Sequence, residues 1–354
     1  MQHQTQQGLL RQIWGQRGLL ALLLYPIACL YGLAAGTRRR LYRWGLKKTH
    51  GLSVPVVVVG NVVVGGSGKT PATIAITQHL LDRGWSVGVV SRGYGRRAKG
   101  CLEVTTAAPP RDVGDEPLLI HHKTGAPVFV AAKRFEAASA LLQAHPQTQV
   151  IVCDDGLQHY ALHRDLELCV FDDRGCGNGW LLPAGPLREH WPRSLVLQSG
   201  QSLAHSMVLH TGESPAFLGW RGHRKLASYA LQHDGSKIPL ADLTAPGAPP
   251  LIAVAGISQP EAFFSMLRAN GIHLVETHAL SDHYDFDSWS RTFHGAFRLI
   301  CTEKDALKLW RIAPHALAVP LEFEIEPAFW EAFDPQLEAA SRSKLSSPYG
   351  HSIT

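Results

Sequence analysis

The chain has 354 residues, of which 45% are hydrophobic and 18% are charged, and its formal net charge is +5. This length and composition predict a globular protein of about two domains with a sizeable core. The positive charge is crowded into one short stretch between Arg38 and Lys48, which indicates a local basic patch and argues against a nucleic-acid binder with a broad basic face.

The first predicted element is an uncharged apolar segment at residues 18–36, GLLALLLYPIACLYGLAAG. A helix of this length spans about 28 Å, close to the thickness of the hydrocarbon core of a bilayer. The basic patch that follows, with Trp14, Tyr42 and Trp44, suits a membrane interface and places the downstream body on the cytoplasmic side. We predict a membrane-associated helix, with a buried core helix as the alternative. Pro26 and the glycines leave open whether it crosses the bilayer or lies in one leaflet.

After residue 50, short apolar runs alternate with helical segments. Val54–Val59 (VPVVVV) suits a strand buried on both faces of a parallel sheet, and a helix is predicted over Pro71–Arg83. Further strands are predicted at Ser86–Val90, Val150–Cys153 and Leu166–Phe171. This alternation predicts an α/β sheet with right-handed crossovers.

The pattern changes in the last third of the chain. Two strand-like runs around a DGS turn predict a hairpin at Ser228–Leu240, followed by a Pro- and Gly-rich linker at 244–250. A second βα pattern begins at Leu251–Gly256, and Gly271 ends its helix. Further short strands are predicted near 272–276, 298–302 and 316–325. The predicted units are the N-terminal helix and its basic flank (1–50), a larger α/β domain (51–225), a β-hairpin linker (226–250), a smaller α/β domain (251–340) and a polar tail (341–354).

A glycine-rich turn, GGSGKT at Gly65–Thr70, lies between the first predicted strand and the first helix of the larger domain. The amides of such a turn cradle phosphate oxygens, while Lys69 would reach the terminal phosphates and Thr70 would bind Mg²⁺. The turn is the tighter form of the phosphate loop, because Val63 stands where the longer form has its first glycine. We predict a P-loop NTPase-like parallel sheet domain that binds ATP and Mg²⁺. The residues expected at the nucleotide are Val64, Gly65, Gly66, Ser67, Gly68, Lys69 and Thr70.

Two acidic pairs are candidates for the chemistry. Asp154 and Asp155 follow a predicted buried strand directly, at the sheet edge where α/β proteins bind ligands, and at least one is expected to serve Mg²⁺. An N-cap role for Asp155 is the alternative. Asp115 and Glu116 lie in a Gly- and Pro-bounded loop and are candidates for a general base and a second metal contact.

Basic residues and histidines complete the candidate set. His283 could act in acid/base chemistry, and Arg134 and Arg188 could each bind an anion with two hydrogen bonds. A structural histidine and surface ion pairs are the plainer alternatives. His159 and His163 have the spacing of zinc ligands on a helix, but without a third ligand motif we do not predict a zinc site.

Eight stretches of the chain together resemble the tetraacyldisaccharide 4'-kinases, the lipid A 4'-kinases of Gram-negative bacteria. They run in family order along nearly the whole chain, which makes the set specific. The stretches are GNVVVGGSGKTP (60–71), SRGYGR (91–96), VGDEP (113–117), AAKRFEA (131–137), DDGLQH (154–159), LLPAGPLRE (181–189), SDHYDF (281–286) and CTEKDA (301–306). Leu157 departs from the family pattern, in which we expect an aromatic residue, and we expect only a packing change there.

The resemblance implies transfer of the γ-phosphate of ATP to the 4'-hydroxyl of an acylated glucosamine disaccharide 1-phosphate lipid, a step of lipid A (lipopolysaccharide) biosynthesis. It implies a location at the cytoplasmic face of the bacterial inner membrane, and two α/β domains joined by a hairpin with the site in the cleft between them. The implied roles are Asp115 as general base, His283 as its dyad partner and Lys69 as a catalytic phosphate ligand; Thr70, Glu116 and Asp154 at the metal; Asp155 and Gln158 at the nucleotide; and Tyr94, Arg134, His159 and Arg188 at the lipid substrate.

Two other functions compete with this interpretation. A switch ATPase of the partition or metallochaperone type shares the GGxGKT loop, but such loops usually carry a lysine where this chain has Val64. A switch protein would also not need the pair of Asp115 and His283. A kinase for a different sugar lipid or an isoprenoid is disfavoured through the resemblance alone.

Overall fold

The structure is a computed structural model, and it describes residues 13–66, 68–192, 205–286, 289 and 297–346. The helices are α1 (Leu19–Arg43), α2 (Lys69–Asp82), α3 (Pro110–Val113), α4 (Asp115–Thr124), α5 (Arg134–Ala144), α6 (Pro260–Ala269), α7 (Glu303–Leu309) and α8 (Pro327–Ser346), with a 3₁₀ turn at Leu240–Leu243. The strands are β1 (Val56–Gly60), β2 (Val87–Ser91), β3 (Leu102–Val104), β4 (Val128–Val130), β5 (Val150–Asp154), β6 (Leu166–Phe171), β7 (His205–His210), β8 (Trp220–Leu226), β9 (Tyr229–Leu231), β10 (Lys237–Pro239), β11 (Leu251–Ala255), β12 (Leu274–Ala279), β13 (Arg298–Thr302), β14 (Leu317–Val319) and β15 (Leu321–Ile325).

The larger sheet has nine strands in the order β15-β8-β7-β6-β1-β5-β2-β4-β3. Strand β1 lies between β5 and β6 and is parallel to both. Its valines alternate between two cores: Val57 and Val59 pack on one face of the sheet, and Val56 and Val58 pack on the other. A run of β-branched residues buried on both faces is typical of such a central strand, so the predicted strand and parallel α/β sheet are confirmed.

The smaller sheet has six strands in the order β10-β9-β14-β13-β11-β12. Strand β11 lies between β12 and β13 and is parallel to both, as the second βα pattern predicted. The predicted hairpin is present as β9 and β10, which pair antiparallel. The hairpin also joins the smaller sheet, because Leu231 on β9 pairs with Ala318 on β14.

The C-terminal segment returns to the larger sheet. Strand β15 pairs antiparallel with β8, and α8 packs into the core of that sheet through Phe329, Phe333 and Leu337. These residues recur every four positions and form one apolar stripe of a helix. Sequence analysis did not predict α8, which continues to Ser346 within the expected polar tail. Strand β14 is therefore the last strand in chain order to join the smaller sheet, and residues 321–346 pack with the larger one.

Helix α1 is longer than the predicted segment and includes the basic residues up to Arg43. Among the described residues it is the one helix long and apolar enough to cross a membrane, judged by length and composition only. Ala21 and Ala28 are buried, whereas Leu19 and Leu30 are 76% and 68% exposed. The helix therefore packs against the rest of the protein along one narrow stripe, and most of its apolar surface is exposed.

Candidate active site

The phosphate loop connects β1 to α2. Gly65 and Gly68 have φ of 102° and 84°, a region that residues with a Cβ atom rarely adopt, so the loop requires glycine at both positions. Helix α2 begins at Lys69 and no side chain caps its N-terminus. Its first amide groups are therefore free to bind an anion. The amide of Val64 already donates to the Pro186 carbonyl at 2.9 Å, and Ser67 lies outside the described residues.

A cavity of about 490 Å³ opens beside the phosphate loop, between the two sheets. Lys69 and Thr70 line it on one side, and Ile257, Phe263 and Met266 line it on the other. This volume is in the range of small-molecule sites, which combine apolar walls with a few polar groups. The lining suits a nucleotide whose phosphates lie on the loop and whose base lies against apolar side chains.

Residues distant in sequence support the loop from outside. Arg174 donates to the carbonyl of Gly66 at 3.0 Å, and Gln259 reaches the same carbonyl at 3.4 Å. Gln259 also donates to Asp172 at 3.2 Å, which links the smaller sheet to the larger one. Arg224 lies against Gly68, because a Cβ atom there would be 2.3 Å from its guanidinium. Sequence analysis missed all of these residues, and no motif in their own segments points to them.

The carboxylates at the end of β5 differ in their surroundings. Asp154 is 1% exposed and accepts hydrogen bonds from Thr73 and Ser91, each at 3.1 Å. Burial, with the charges of Glu116 and Asp155, raises the pKa of Asp154 to about 7. This buried negative charge would be neutralised by a divalent cation.

Asp155 has a φ of 46°, in the left-handed region. Its carboxylate lies 3.8 Å from Lys69 Nζ and 3.4 Å from an Arg188 nitrogen. Strained conformations of this kind concentrate at functional sites. Asp155 therefore lies between Lys69 of the phosphate loop and Arg188.

The residues at the predicted Mg²⁺ site fit that ion only together with a nucleotide. In the part of the chain that the structure describes, no three His, Cys, Asp or Glu side chains form a group that could hold a metal ion alone. Mg²⁺ in kinases is held by one or two carboxylates together with phosphate oxygens and water. Thr70 and Glu116 both line the cavity, and Asp154 adds charge behind them, so the residue types fit a site completed by phosphates.

Asp115 and His283 meet across the cleft. Asp115 is the first residue of α4, and its Oδ2 lies 3.2 Å from Nδ1 of His283, which follows β12. His283 has a φ of 61° in the loop that presents it. Burial alone would raise the pKa of Asp115, but the hydrogen bond of His283 and the charge of Lys308 outweigh burial and lower it. Asp115 is therefore an ionised, oriented carboxylate, next in the chain to Glu116, which lines the cavity beside the phosphate loop.

Two lysines on α7 enter the same cleft. Lys308 Nζ lies 2.8 Å from Asp115 Oδ2, and Lys304 Nζ lies 3.1 Å from Asp282 and 3.8 Å from Glu116. They are four residues apart and share one face of the helix. Sequence analysis did not identify either lysine as a site residue, although Lys304 lies within the CTEKDA stretch and Lys308 just after it.

Three of the residues predicted at the lipid substrate, Arg134, His159 and Arg188, lie together at Asp155, whereas Tyr94 lies beside His283. Arg134 is 5% exposed and donates to the Asp155 carbonyl at 2.9 Å, and its amide donates to His159 Nε2 at 3.2 Å. Burial and the nearby arginines lower the pKa of His159 to about 4, so the imidazole is neutral at pH 7. Tyr94 is 69% exposed, with its ring centroid 5.6 Å from that of His283.

Gln158, predicted at the nucleotide, lies with this group. Its amide nitrogen donates to the Asn61 carbonyl and to Glu189, each at 2.9 Å, and its oxygen accepts from Arg188 at 3.4 Å. It is not among the residues that line the cavity. Leu157 is fully buried against Gly60, and the packing of β1 on this turn therefore depends on it.

Helix α1 packs against the loop that carries Arg188. The Tyr25 ring packs at a tilt against the Trp180 ring with centroids 4.6 Å apart, and the Tyr31 hydroxyl donates to the Arg188 carbonyl at 3.0 Å. The apolar helix and the basic group around Asp155 are thus adjacent. A molecule with an anionic headgroup and acyl chains could contact both at once.

Comparison with known proteins adds an independent finding. A family model described as tetraacyldisaccharide-1-P 4'-kinase matches residues 20–338. The chain is 53% identical over 336 residues to the tetraacyldisaccharide 4'-kinase of Acidovorax ebreus (strain TPSY), covering 94% of this chain and 96% of that protein. It is 52% identical over 349 residues to the protein of the same name from Polaromonas naphthalenivorans (strain CJ2), covering 98% and 99%.

A solved structure is similar as well. The crystal structure of the "apo" form of LpxK from Aquifex aeolicus in complex with ATP matches with a TM-score of 0.77 and 28% identity, covering 91% of this chain and 99% of that chain. The resemblance found in the motifs is thereby confirmed over most of the chain, and so is the predicted fold class.

Proposed function

The chain belongs to the tetraacyldisaccharide 4'-kinase family, and we propose that it transfers the γ-phosphate of ATP to the 4'-hydroxyl of tetraacyldisaccharide 1-phosphate. The product is the 1,4'-bisphosphate, a precursor of lipid A. The observation that carries the proposal is the contact of Asp115 with His283 across the cleft. A switch ATPase has no use for an acid/base pair at this position, so that alternative is not favoured.

The proposed mechanism relies on positioning and charge. The amides of the loop and Lys69 hold the phosphates. Asp115 accepts the proton of the 4'-hydroxyl as the oxygen–phosphorus bond forms, and the bond to the leaving ADP breaks. His283 holds the Asp115 carboxylate by a hydrogen bond from the other side of the cleft, so the base is complete only when the two sheets are close together.

Mg²⁺ is the proposed cofactor besides ATP. Thr70, Glu116 and Asp154 would hold the ion, and the bound ion would neutralise part of the phosphate charge. Burial and the neighbouring carboxylates of Glu116 and Asp155, which raise the pKa of Asp154 to about 7, support this assignment. Lys69 contributes positive charge to the same group of carboxylates through its contact with Asp155.

The lipid substrate is proposed to bind on the side of Arg134, His159 and Arg188. The two guanidinium groups supply fixed positive charge for an anionic disaccharide, and neutral His159 supplies hydrogen-bonding capacity without further charge. Tyr94 is exposed beside His283 and could pack on a sugar ring. The assignments of Arg134, His159 and Arg188 are supported by the contacts of Arg134 and Arg188 with Asp155, which itself contacts Lys69 of the phosphate loop.

We further propose that α1 holds the enzyme at the cytoplasmic face of the inner membrane. Its exposed leucines and its basic C-terminal turns, Arg38 to Arg43, suit an anionic interface. Because α1 contacts the loop of Arg188, membrane association would bring the cleft to the headgroups. The acyl chains of the substrate would then stay in the bilayer.

The test is transfer of ³²P from γ-labelled ATP to purified disaccharide 1-phosphate lipid in detergent micelles. We expect a labelled lipid that retains its original 1-phosphate and carries the label at the second sugar. Steady ATP hydrolysis with no labelled lipid would contradict the proposal and favour a nucleotide switch. Label that appears only when an isoprenoid or another sugar lipid is supplied in place of the disaccharide would keep the kinase and replace its substrate.

A further inference from the structure

Lys308 is a buried lysine that the mechanism above leaves without a role. Its side chain is 7% exposed, on the last turn of α7. A lysine is almost never buried without an anionic partner. The hydrogen-bonded partner of Lys308 is Asp115 at 2.8 Å, on the opposite side of the cleft, and its ammonium also lies 5.8 Å from the Phe286 ring.

Both contacts of Asp115 fall on the same oxygen. Lys308 Nζ and His283 Nδ1 lie 2.8 Å and 3.2 Å from Oδ2. Among the described residues, no hydrogen bond reaches Oδ1 of Asp115. One oxygen is therefore held from two directions, and the other is left available for a hydroxyl group.

We propose that Lys308 is a positioning residue of the phosphoryl transfer: by binding Oδ2 of Asp115, it directs Oδ1 toward the acceptor hydroxyl when the cleft is closed. This inference rests on the proposed role of Asp115 as the base. In the step itself, the hydroxyl proton passes to Oδ1, the hydroxyl oxygen bonds the γ-phosphorus, and ADP leaves with the electron pair of the broken bond. Lys308 takes no part in the proton transfer.

A general tie between the sheets is the competing explanation, and the structure offers a matched control for it. Lys123 and Glu303 form an ion pair at 2.8 Å between the same two helices, α4 and α7. That pair does not touch Asp115. Both of its residues line the nucleotide cavity, so Lys123→Met is expected to raise the KM for ATP, and the two lysine variants are compared by kcat at saturating ATP. If Lys308 served only to hold α4 against α7, loss of Lys123 would have an equivalent effect.

The expected effect of Lys308→Met is on turnover. A misplacement of about 1 Å at a reacting group can lower the rate about 100-fold, so we expect kcat to fall roughly 10- to 100-fold. The KM for ATP should stay within about twofold, because Lys308 does not line the nucleotide cavity. Lys308→Arg, which keeps the charge and a donor, should recover most of the lost turnover.

The experiment measures kcat and KM for ATP and lipid with the full chain in micelles, for the wild type, Lys308→Met, Lys308→Arg and Lys123→Met. Thermal melting and ATP affinity identify any variant that has unfolded. If Lys308→Met has unfolded, Lys308→Gln is measured in its place. A loss of kcat confined to the Met or Gln variant, and restored by Arg, supports the proposal. An equal loss in Lys123→Met, or an unchanged kcat in Lys308→Met, overturns it.

Failure of the proposed function would be seen separately in the same assay. A wild-type enzyme that transfers no phosphate to lipid would remove the kinase function and the role of Lys308 with it. An active wild type whose Asp115→Asn variant is equally active would remove the base, and with it the need to position that base.

Discussion

Nδ1 of His283 lies 3.2 Å from Oδ2 of Asp115, although 168 positions separate the two residues in the chain. Each residue is presented by a different sheet, so the contact exists only in a closed cleft. We predict that His283→Ala lowers kcat by about 10- to 100-fold, as expected for loss of orientation of a base. Steady-state kinetics at saturating ATP measures it. An unchanged kcat would show that Asp115 does not need the imidazole.

The return of the chain to the larger sheet predicts a stability effect. Phe333 on α8 is 1% exposed within the core that also contains residues of α2. Phe333→Ala should lower the free energy of unfolding by about 3–5 kcal/mol through the cavity that it leaves. Leu345→Ala on the same helix, at an 85% exposed position, is the control and should change it by less than about 0.5 kcal/mol. Urea denaturation compares the two. Equal effects would show that α8 does not dock as described.

His159 predicts a pH dependence of stability. Burial and nearby arginines lower its folded pKa from 6.5 to about 4. Below pH 6.5 the unfolded chain therefore binds a proton that the folded chain rejects, and the free energy of unfolding falls until the pH reaches about 4. His159→Asn should show a shallower fall between these values. Denaturation midpoints at pH 7 and pH 5 for both proteins measure it, and parallel losses would place the sensitivity elsewhere.

The exposed face of α1 predicts membrane binding. Leu23 and Leu30 are 66% and 68% exposed, and burying such side chains in a bilayer is worth about 1.5–3 kcal/mol each. Leu23→Glu with Leu30→Glu should therefore release the protein from vesicles that contain anionic lipid, in a flotation assay. The matched control is Leu345→Glu, which changes an exposed leucine on α8. Release by the control as well would indicate a non-specific charge effect.

Much of the fold follows from local patterns. The continuous β-branched run of β1 predicts a strand buried on both faces of the sheet, and all of its residues are buried. The GGSGKT turn predicts a phosphate loop, and two of its glycines have the positive φ angles that require glycine. In contrast, α8 carries a clear apolar stripe, but its docking depends on β15 crossing back to pair with β8. No local feature of residues 321–346 specifies that crossing.

The sequence allowed prediction of most residues of the site, but of few of the contacts between them. Asp154 and Asp155 could be placed near the phosphate loop because the aspartates and the loop stand at the carboxyl ends of two parallel strands of one sheet. The pairing of Asp115 with His283 came only from the resemblance to a family, since their spacing carries no signal. Lys308 was missed because a lysine on a short helix is usually a solvated residue, and only the packing of α7 on α4 buries it.

The measurement that tests the account most directly is the kcat of Asp115→Asn with ATP and the disaccharide lipid. The substitution keeps the size of the side chain and removes its ability to accept a proton. We predict a loss of at least about 100-fold, the low end for a general base, with little change in the affinity for ATP. A variant that turns over within a few-fold of the wild type would contradict the central claim, that Asp115 is the base assembled between the two sheets.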